Sequence, residues 1–573
     1  MKKRLLAIAM FALMTVGSAC QATPESSSSE SSTSSTETSE STEVDTNMDG
    51  DVQLSEPGEF PIVIGEPVTL SVFASVHLDK NSEFDSSENT YTAWLEEKLN
   101  INLDWQITTA SDKTAKLNLL FTSNDYQDII FGSYWPSATQ YSYGLQGFLV
   151  PLTDYYETDA YYFDQYVENA QELGMCNETT LQSLVMPDGN IYSLFDGMVS
   201  NVHVTTSTRM WIYTPWLDAL DLEMPTTTDE YYDVLTAFKE DDPNGNGIAD
   251  EIPLAGAMTG WNLDPTEFIM NSFVYYQDSD RMYIEDGEIV MSYSQDEFKD
   301  GLEYMRLLVD DGLLYGDTFI QDKDALRSLT SGDIQVVGST AGGMQSGFTT
   351  NVISGEAGDW TNWKTIAPLE GPDGVQYAKY TANTAVAGFN ITDACEYPRV
   401  AFRFGDSLYE TEISLNAAYG ADYWEWAEEG TVDGLGTQAE IVYYDTGSDT
   451  NFAWNDITIT SSACPGILAA ITTEDFNLDI EGSLYVSYDA YKDYLPSEDM
   501  IVPPLTFDED EAERVTDLTL DLDSAYESVF VDFLYNTPLD ELDARWEEFQ
   551  QTLINCGIEE YLELYQTAYD AQY

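Results

Sequence analysis

The densest chemistry in the chain lies at Asp242-Pro-Asn244-Gly-Asn246-Gly247-Ile248-Ala-Asp250-Glu251. Side-chain oxygens stand at positions 1, 3, 5 and 9 of this loop, with Gly at position 6. That spacing suits Ca²⁺, which takes about six to eight hard oxygen ligands and needs Gly for the sharp turn. Position 12 is Pro253, where an EF-hand carries Glu. Glu251 at position 10 is therefore the expected last carboxylate, with the Ile248 carbonyl completing the set. A solvated Asp/Asn/Gly turn is the plain alternative. The loop follows Thr228–Lys239, where Tyr231, Val234, Leu235 and Phe238 fall at helical spacing. Thr228 or Asp229 is the expected cap. A second segment, Asp45-Thr-Asn47-Met-Asp49-Gly50 with Glu56, satisfies the whole EF-hand expression. Its upstream flank is not amphipathic and Pro57-Gly58 blocks a following helix, so a calcium role is less expected there.

The elements that must hold such a loop begin with an export signal. Lys2, Lys3 and Arg4 precede an apolar run from Leu5 to Val16, and Gly17-Ser18-Ala19 lead into Cys20. The run is too short to span a bilayer. A cysteine after small residues marks a lipoprotein start, with residues 1–19 removed and Cys20 lipidated. Gly17 departs from the usual Leu at its position. Gln21 to Pro57 is rich in Ser, Thr and Glu, so residues 20–58 are expected to form a disordered tether. Its coil dimension is on the order of 35 Å. The formal net charge is −82, with 103 acids against 21 Lys and Arg. Such a surface excludes nucleic acid and anionic membranes as charge-driven partners. Cys176, Cys395, Cys464 and Cys556 lack CxxC spacing, and their disulfide state stays open.

Residues 59–573 exceed one compact core, so at least two lobes are expected. Val68, Leu70, Val72 and Ala74 alternate as a strand; Asn89 caps a helix with Tyr91, Leu95 and Leu99; Ile101 to Ile107 alternate again; Asp112 starts a helix; Asp128–Gly132 is a buried strand. This β-α-β-α-β order predicts a parallel sheet with helices on both faces, and ligands bind such sheets beyond the carboxyl ends of the strands. Those ends are Ser75-Val76-His77 and Ser133-Tyr134-Trp135. Strands at Met210–Tyr213 and Asp333–Gly338, a helix carrying Phe298, Leu302, Met305 and Leu308, and C-terminal helices carrying Trp546, Phe549, Leu553 and Tyr561 extend the pattern.

Trp94-Leu-Glu-Glu-Lys-Leu99, Asp125-Tyr-Gln-Asp-Ile-Ile130, Tyr213-Thr-Pro-Trp-Leu-Asp218, Pro225-Thr-Thr-Thr-Asp-Glu230, Gly371-Pro-Asp-Gly374 and the lipoprotein-like start together carry a resemblance. The chain resembles the extracellular solute-binding proteins (family 1) of ABC importers. The nearest branch is the Gram-positive lipoproteins related to alginate- and oligosaccharide-binding proteins, in the maltodextrin-binding class. Several of these match Asp242, Asn244, Asn246, Asp250 and Glu251. The resemblance implies an α/β, two-lobed periplasmic-binding-protein-like fold of type II, with hinge crossings near 190–209, 371–388 and 423–434. It implies an N-lobe of about 60–200 and 375–430, a C-lobe of about 201–374 and 431–573, and an interlobe cleft. It also implies capture of an oligosaccharide, delivery to membrane permease subunits, a lipid anchor on the outer cell surface, a structural Ca²⁺ and a monomer.

The motif search for catalysis is empty: two histidines, His77 and His203, and no HExxH, GxSxG or P-loop. A secreted polysaccharide hydrolase or lyase is the enzyme alternative, and a peptide-binding importer component is the other. With 38 Tyr and 12 Trp, flat aromatic faces are available for sugars. The ligand candidates are Ser75, His77, Tyr134, Trp135, Trp261, Trp360, Trp363 and Trp424, each weighed against an ordinary place in the core. Arg209 is expected to pair with one of the many acids. The scarcity of Lys and Arg favours a neutral oligosaccharide over a uronate or a peptide.

Overall fold

The structure is a computed structural model. It describes residues 47–573 except 77–87, 110–111, 133–134, 136, 173–180, 182–183, 197–201, 279–280, 351, 353–357, 382–385, 432–437, 439, 444–453, 455–468, 472–479, 504, 506 and 508. The signal segment, Cys20, His77, Tyr134, Cys176 and Cys464 lie outside the described residues.

Two compact units emerge. The first comprises Met1–Val199, Thr384–Trp424 and Asp445–Gly466; the second comprises Ser200–Asn383, Glu425–Tyr444 and Ile467–Tyr573. Both are discontinuous, and two segments differ from the lobes expected above. Residues near 378 belong to the second unit, because Ala378 is buried in its core and donates its N–H to the Tyr494 carbonyl at 2.8 Å. Residues around 454 belong to the first, because the Trp454 indole fills its core. It meets Tyr91 and Trp105 edge-on at 4.8 and 5.0 Å and donates to Thr92 Oγ1 at 2.8 Å.

The first unit is built on a five-stranded sheet. Its order is Ile101–Thr109, Val68–Val76, Ile129–Phe131, Val386–Ile391, Leu194–Asp196. The first three strands are parallel, with Val68 opposite Ile101 and Ala74 opposite Phe131. Val386–Ile391 returns antiparallel to both of its neighbours. The alternating apolar residues explain the pairing: Val72 and Ala74 are buried with Leu103, Ile129 and Phe131 in one core. Helix Thr90–Leu99 begins where the Asn89 side chain accepts from Thr92 N and ends at Asn100 in the left-handed region.

The tether's last part is folded rather than disordered. Met48–Asp49, Val52–Leu54 and Val63–Ile64 form a small antiparallel sheet, and Leu54 is buried. Asp49 accepts the Val400 N–H at 2.9 Å near the start of helix Pro398–Ser407, and Arg403 donates to the Ser55 and Glu56 carbonyls. These polar anchors and one buried leucine outweigh the low overall hydrophobicity that predicted disorder. Asp49, a calcium-pattern position, is thereby committed to the fold.

Asp406 on helix Pro398–Ser407 is fully buried and accepts the N–H groups of Tyr161, Tyr162 and Phe163 at 2.9–3.2 Å, capping helix Tyr162–Glu172 from outside its own chain segment. Burial pushes its carboxyl up to about 7 against the pull of those donors. The folded state then holds this proton more tightly than the unfolded chain. Stability from this group is present at low pH and is lost as pH rises from about 4 to about 7, with a slope of at most about 1.4 kcal/mol per pH unit. Asp406→Asn should flatten that segment of the stability–pH curve in urea titrations. An unchanged slope would show that Asp406 does not titrate in this window.

In the second unit the sheet order is Trp363–Ile366, Met210–Tyr213, Val337–Ala341, Ile252–Ala255. Val337–Ala341 runs parallel to Ile252–Ala255 and antiparallel to Met210–Tyr213. The strand expected at 333–338 starts only at Val337, after the Gln335 side chain has bonded the Val337 carbonyl at 2.7 Å. Helix Asp296–Asp310 buries Phe298, Leu302, Met305 and Leu308. The C-terminal helices Glu509–Tyr535, Leu542–Asn555 and Ile558–Gln572 pack in the same unit, burying Trp546, Phe549, Leu553 and Tyr561. No described helix is long and apolar enough to cross a membrane. Cys395 and Cys556 are free thiols, and burial pushes Cys395 up to about 12.

Candidate functional site

The oxygen-rich loop hangs from helix Thr228–Glu240, whose buried face is Tyr231, Val234, Leu235 and Phe238 as its spacing predicts. The cap is Thr227 rather than Thr228 or Asp229. Its hydroxyl accepts from Glu230 N, while the Glu230 carboxylate accepts the Thr226 N–H and hydroxyl at 2.9 and 2.7 Å. The loop then folds on itself. Asp242 accepts from Asn246 N and Gly247 N at 3.1 and 3.0 Å; Asn244 Oδ1 also accepts from Asn246 N. Gly247 has φ +73°, which only glycine adopts without strain. The amide groups of Asn244 and Asn246 both donate to Asp250 Oδ1, at 3.1 and 3.0 Å. The Ile248 carbonyl accepts the Asp250 N–H.

Glu251 completes the cluster. Its Oε1 is buried and has no hydrogen-bond partner among the described residues. Burial raises its pKa, and the charges of Asp250 and Asp242 add to the rise. An orphaned carboxylate oxygen beside two further carboxylates is what a hard cation would neutralise. No three His, Cys, Asp or Glu side chains among the described residues converge as a ready-made metal group. The charges of Asp242 and Asp250 act on Glu251, and the amide NH₂ groups of Asn244 and Asn246 donate to Asp250. Rotating each amide end for end presents Oδ1 in place of Nδ2. The donor set therefore fits Ca²⁺, and strand Ile252–Ala255 starts immediately after it.

That strand leads to the second candidate region. In the second unit, the carboxyl ends of Ile252–Ala255 and Val337–Ala341 feed the loops Gly256–Leu263 and Gly342–Met344. Trp261 stands there with 41 % of its surface exposed, its ring lying against Gly343. The Ala257 N–H donates to the Leu263 carbonyl and closes the loop. Met258 and Ile320 are exposed, and the Met258 N–H donates to the neighbouring Gln321 carbonyl.

In the first unit the corresponding edge carries Ser75, half-buried and opposite Thr108. Trp135 is half-buried and is supported edge-on by Phe121 and Tyr143 at 5.6 and 5.2 Å. Lys113 donates from Nζ to the Gly132 carbonyl at 3.3 Å, just past strand Ile129–Phe131, and burial lowers its pKa. Trp424, also half-buried, donates its indole N–H to Asn416 Oδ1 at 2.8 Å.

Two of the expected ligand residues are corrected. Trp360 and Trp363 are 1 % and 0 % exposed, in the core of the second unit. Trp363 starts an edge strand opposite Tyr213 and points inward onto Phe348 at 5.1 Å, so it has no surface to offer. The buried guanidinium of Arg209 donates to the carbonyls of His203 and Gly343. Sequence reasoning passed over Lys113 and Gly343. A lysine in a helix's first turn runs against the helix dipole, and a Gly-Gly pair after a buried strand marks close approach; both were usable signals.

No protein-family model matches the chain. It is 31 % identical over 245 residues to the fructooligosaccharide ABC transporter substrate-binding protein FusA of Streptococcus pneumoniae, covering 42 % of this chain and 44 % of that protein. It is 28 % identical over 220 residues to lipoprotein LipO of Bacillus subtilis, covering 36 % and 40 %. The chain thus spans somewhat under half the length of these curated relatives. The solved structure of FusA in complex with kestose superposes over 88 % of this chain and 99 % of its own, with TM-score 0.69 and 20 % identity. An EF-hand mutant of FusA superposes with TM-score 0.68 and 19 % identity over the same shares. The fold is therefore the two-unit α/β fold of extracellular substrate-binding proteins.

Proposed function

We propose that this chain is the substrate-binding lipoprotein of an ABC importer, a reading supported by its partial sequence likeness to FusA and LipO and by its fold. It captures an oligosaccharide and hands it unchanged to a membrane permease. The observation that carries the reading is the placement of Trp135 and Trp261. Each lies just beyond the carboxyl end of a sheet strand, and each keeps part of its ring open while the rest is buttressed. Indole faces stack on the apolar CH faces of sugars, and the indole N–H remains for a hydroxyl. FusA and its kestose complex support an oligosaccharide over a peptide.

The proposal has five further parts. One Ca²⁺ is held by Asp242, Asn244, Asn246, Asp250, Glu251 and the Ile248 carbonyl; it supplies positive charge that locks the loop and does no chemistry on the ligand. The EF-hand named for FusA supports this assignment. Cys20 anchors the mature chain to the outer face of the cell membrane through lipid. The protein acts as a monomer. It carries no catalytic residues, and Ser75, His77, Tyr134 and Trp424 are further ligand contacts. Tryptophan-fluorescence titration against a panel of glycans and peptides tests the reading. A saturable response to a glycan and none to the peptides is expected; a peptide-only response would replace the sugar with a peptide.

A further inference from the structure

We propose that Arg209 and Gly343 are positioning residues that fix the attitude of the Trp261 ring for ligand stacking, an inference that rests on the sugar-binding reading above. The Gly342–Gly343 peptides are held from several directions within the second unit. The Gly342 N–H donates to the Arg209 carbonyl at 2.9 Å, and the Trp211 indole donates to the Gly342 carbonyl at 2.7 Å. The Arg209 guanidinium reaches the Gly343 carbonyl with one nitrogen and the His203 carbonyl with the other. The Gly343 N–H in turn donates to the Trp261 carbonyl at 3.0 Å. A continuous hydrogen-bonded path therefore runs from a buried guanidinium to the backbone of an exposed tryptophan.

The ring is fixed as well as the backbone. A Cβ added at Gly343 would lie 2.3 Å from Trp261 Cε3 and 2.4 Å from Cδ2. Gly343 is not among the residues with positive φ, so its smallness is required by the ring rather than by the backbone. The Trp261 ring thus packs on the Gly343 backbone while 41 % of the residue's surface stays exposed. A ring placed in advance loses little freedom when a sugar stacks on it, and that saving appears directly in affinity. Arg209 suits the task because its planar fork spans two carbonyls at once, whereas a lysine ammonium is a single point donor.

The test uses the mature chain prepared without its lipid and three probes: kestose, maltotriose and trigalacturonate. The tightest of the three is titrated calorimetrically against wild type, Trp261→Ala, Gly343→Ala, the double variant and Arg209→Lys. Trp261→Ala and Gly343→Ala should each weaken binding roughly tenfold or more, and Arg209→Lys by less. The double variant should bind no worse than Trp261→Ala alone, because Gly343 acts only through the ring. Losses that add in the double variant, or a Gly343→Ala that binds like wild type beside a weakened Trp261→Ala, would overturn the inference. Wild-type affinity in Trp261→Ala would overturn it too, while leaving the sugar-binding reading intact. If wild type binds none of the three probes, that reading loses its support and the geometry is read without ligand. Near-ultraviolet circular dichroism of Gly343→Ala should then share the change seen in Trp261→Ala; a wild-type spectrum would overturn the positioning.

Discussion

Chelation with EDTA should lower the melting temperature, and Asp242→Ala should lower it without chelator and abolish one equivalent of bound calcium. A ligand that binds only the native state stabilises it by mass action, about 2.7 kcal/mol at a free concentration 100 times its dissociation constant. The structural motive is local. Glu251 Oε1 is buried without a partner among the described residues, and Asp242 and Asp250 raise the Glu251 carboxyl's pKa further beyond the effect of burial. A divalent cation reverses that energetics by turning three mutually repelling carboxylates into ligands. Because strand Ile252–Ala255 follows immediately, loosening the loop should fray the sheet from its amino end. The measurement is differential scanning calorimetry with bound calcium counted by atomic emission, both at moderate salt, since an acidic surface of net charge −82 also collects cations loosely. An unchanged melting temperature with unchanged bound calcium in Asp242→Ala would remove the metal from this loop.

Trp135→Ala and Trp261→Ala should each weaken glycan binding by roughly 1–3 kcal/mol while leaving the melting temperature nearly in place. Trp363→Ala should do the reverse. Its indole is wholly buried against Phe348 and Tyr213, and such truncations cost about 3–5 kcal/mol of stability. Parallel titrations and urea denaturations of the three variants separate the two classes. Equal losses of affinity across all three, tracking stability, would mean that the exposed indoles are no more than parts of the core.

How far the sequence carries can be judged from these residues. Helix Thr228–Glu240, strands Val68–Val76 and Ile101–Thr109 and the helix capped by Asn89 follow local rules of period and capping, and they stand where those rules put them. The oxygen-rich loop was legible as a candidate because its donors lie within ten consecutive residues. Aromatic roles were not legible. Trp261 and Trp363 are the same residue type in similar neighbourhoods, and only the register of Trp363 opposite Tyr213 and the packing of Trp261 on Gly343 separate a core residue from a partly exposed one. The return of Trp454 to the first unit was hidden for the same reason, since its partners Tyr91 and Trp105 lie more than 300 residues away in sequence. Composition also misjudged the segment at 47–58, where one buried leucine and a few arginine-to-carbonyl bonds suffice to fold a polar stretch.

The central claim is reversible capture without turnover, and one experiment addresses it directly. The mature chain is saturated with its best-binding glycan in a calorimeter, incubated for a day, unfolded, and the released sugar is analysed by mass spectrometry and for new reducing ends. The account predicts saturable binding with one glycan per chain and recovery of that glycan unaltered. Shortened or unsaturated products would contradict it and make the chain a hydrolase or lyase.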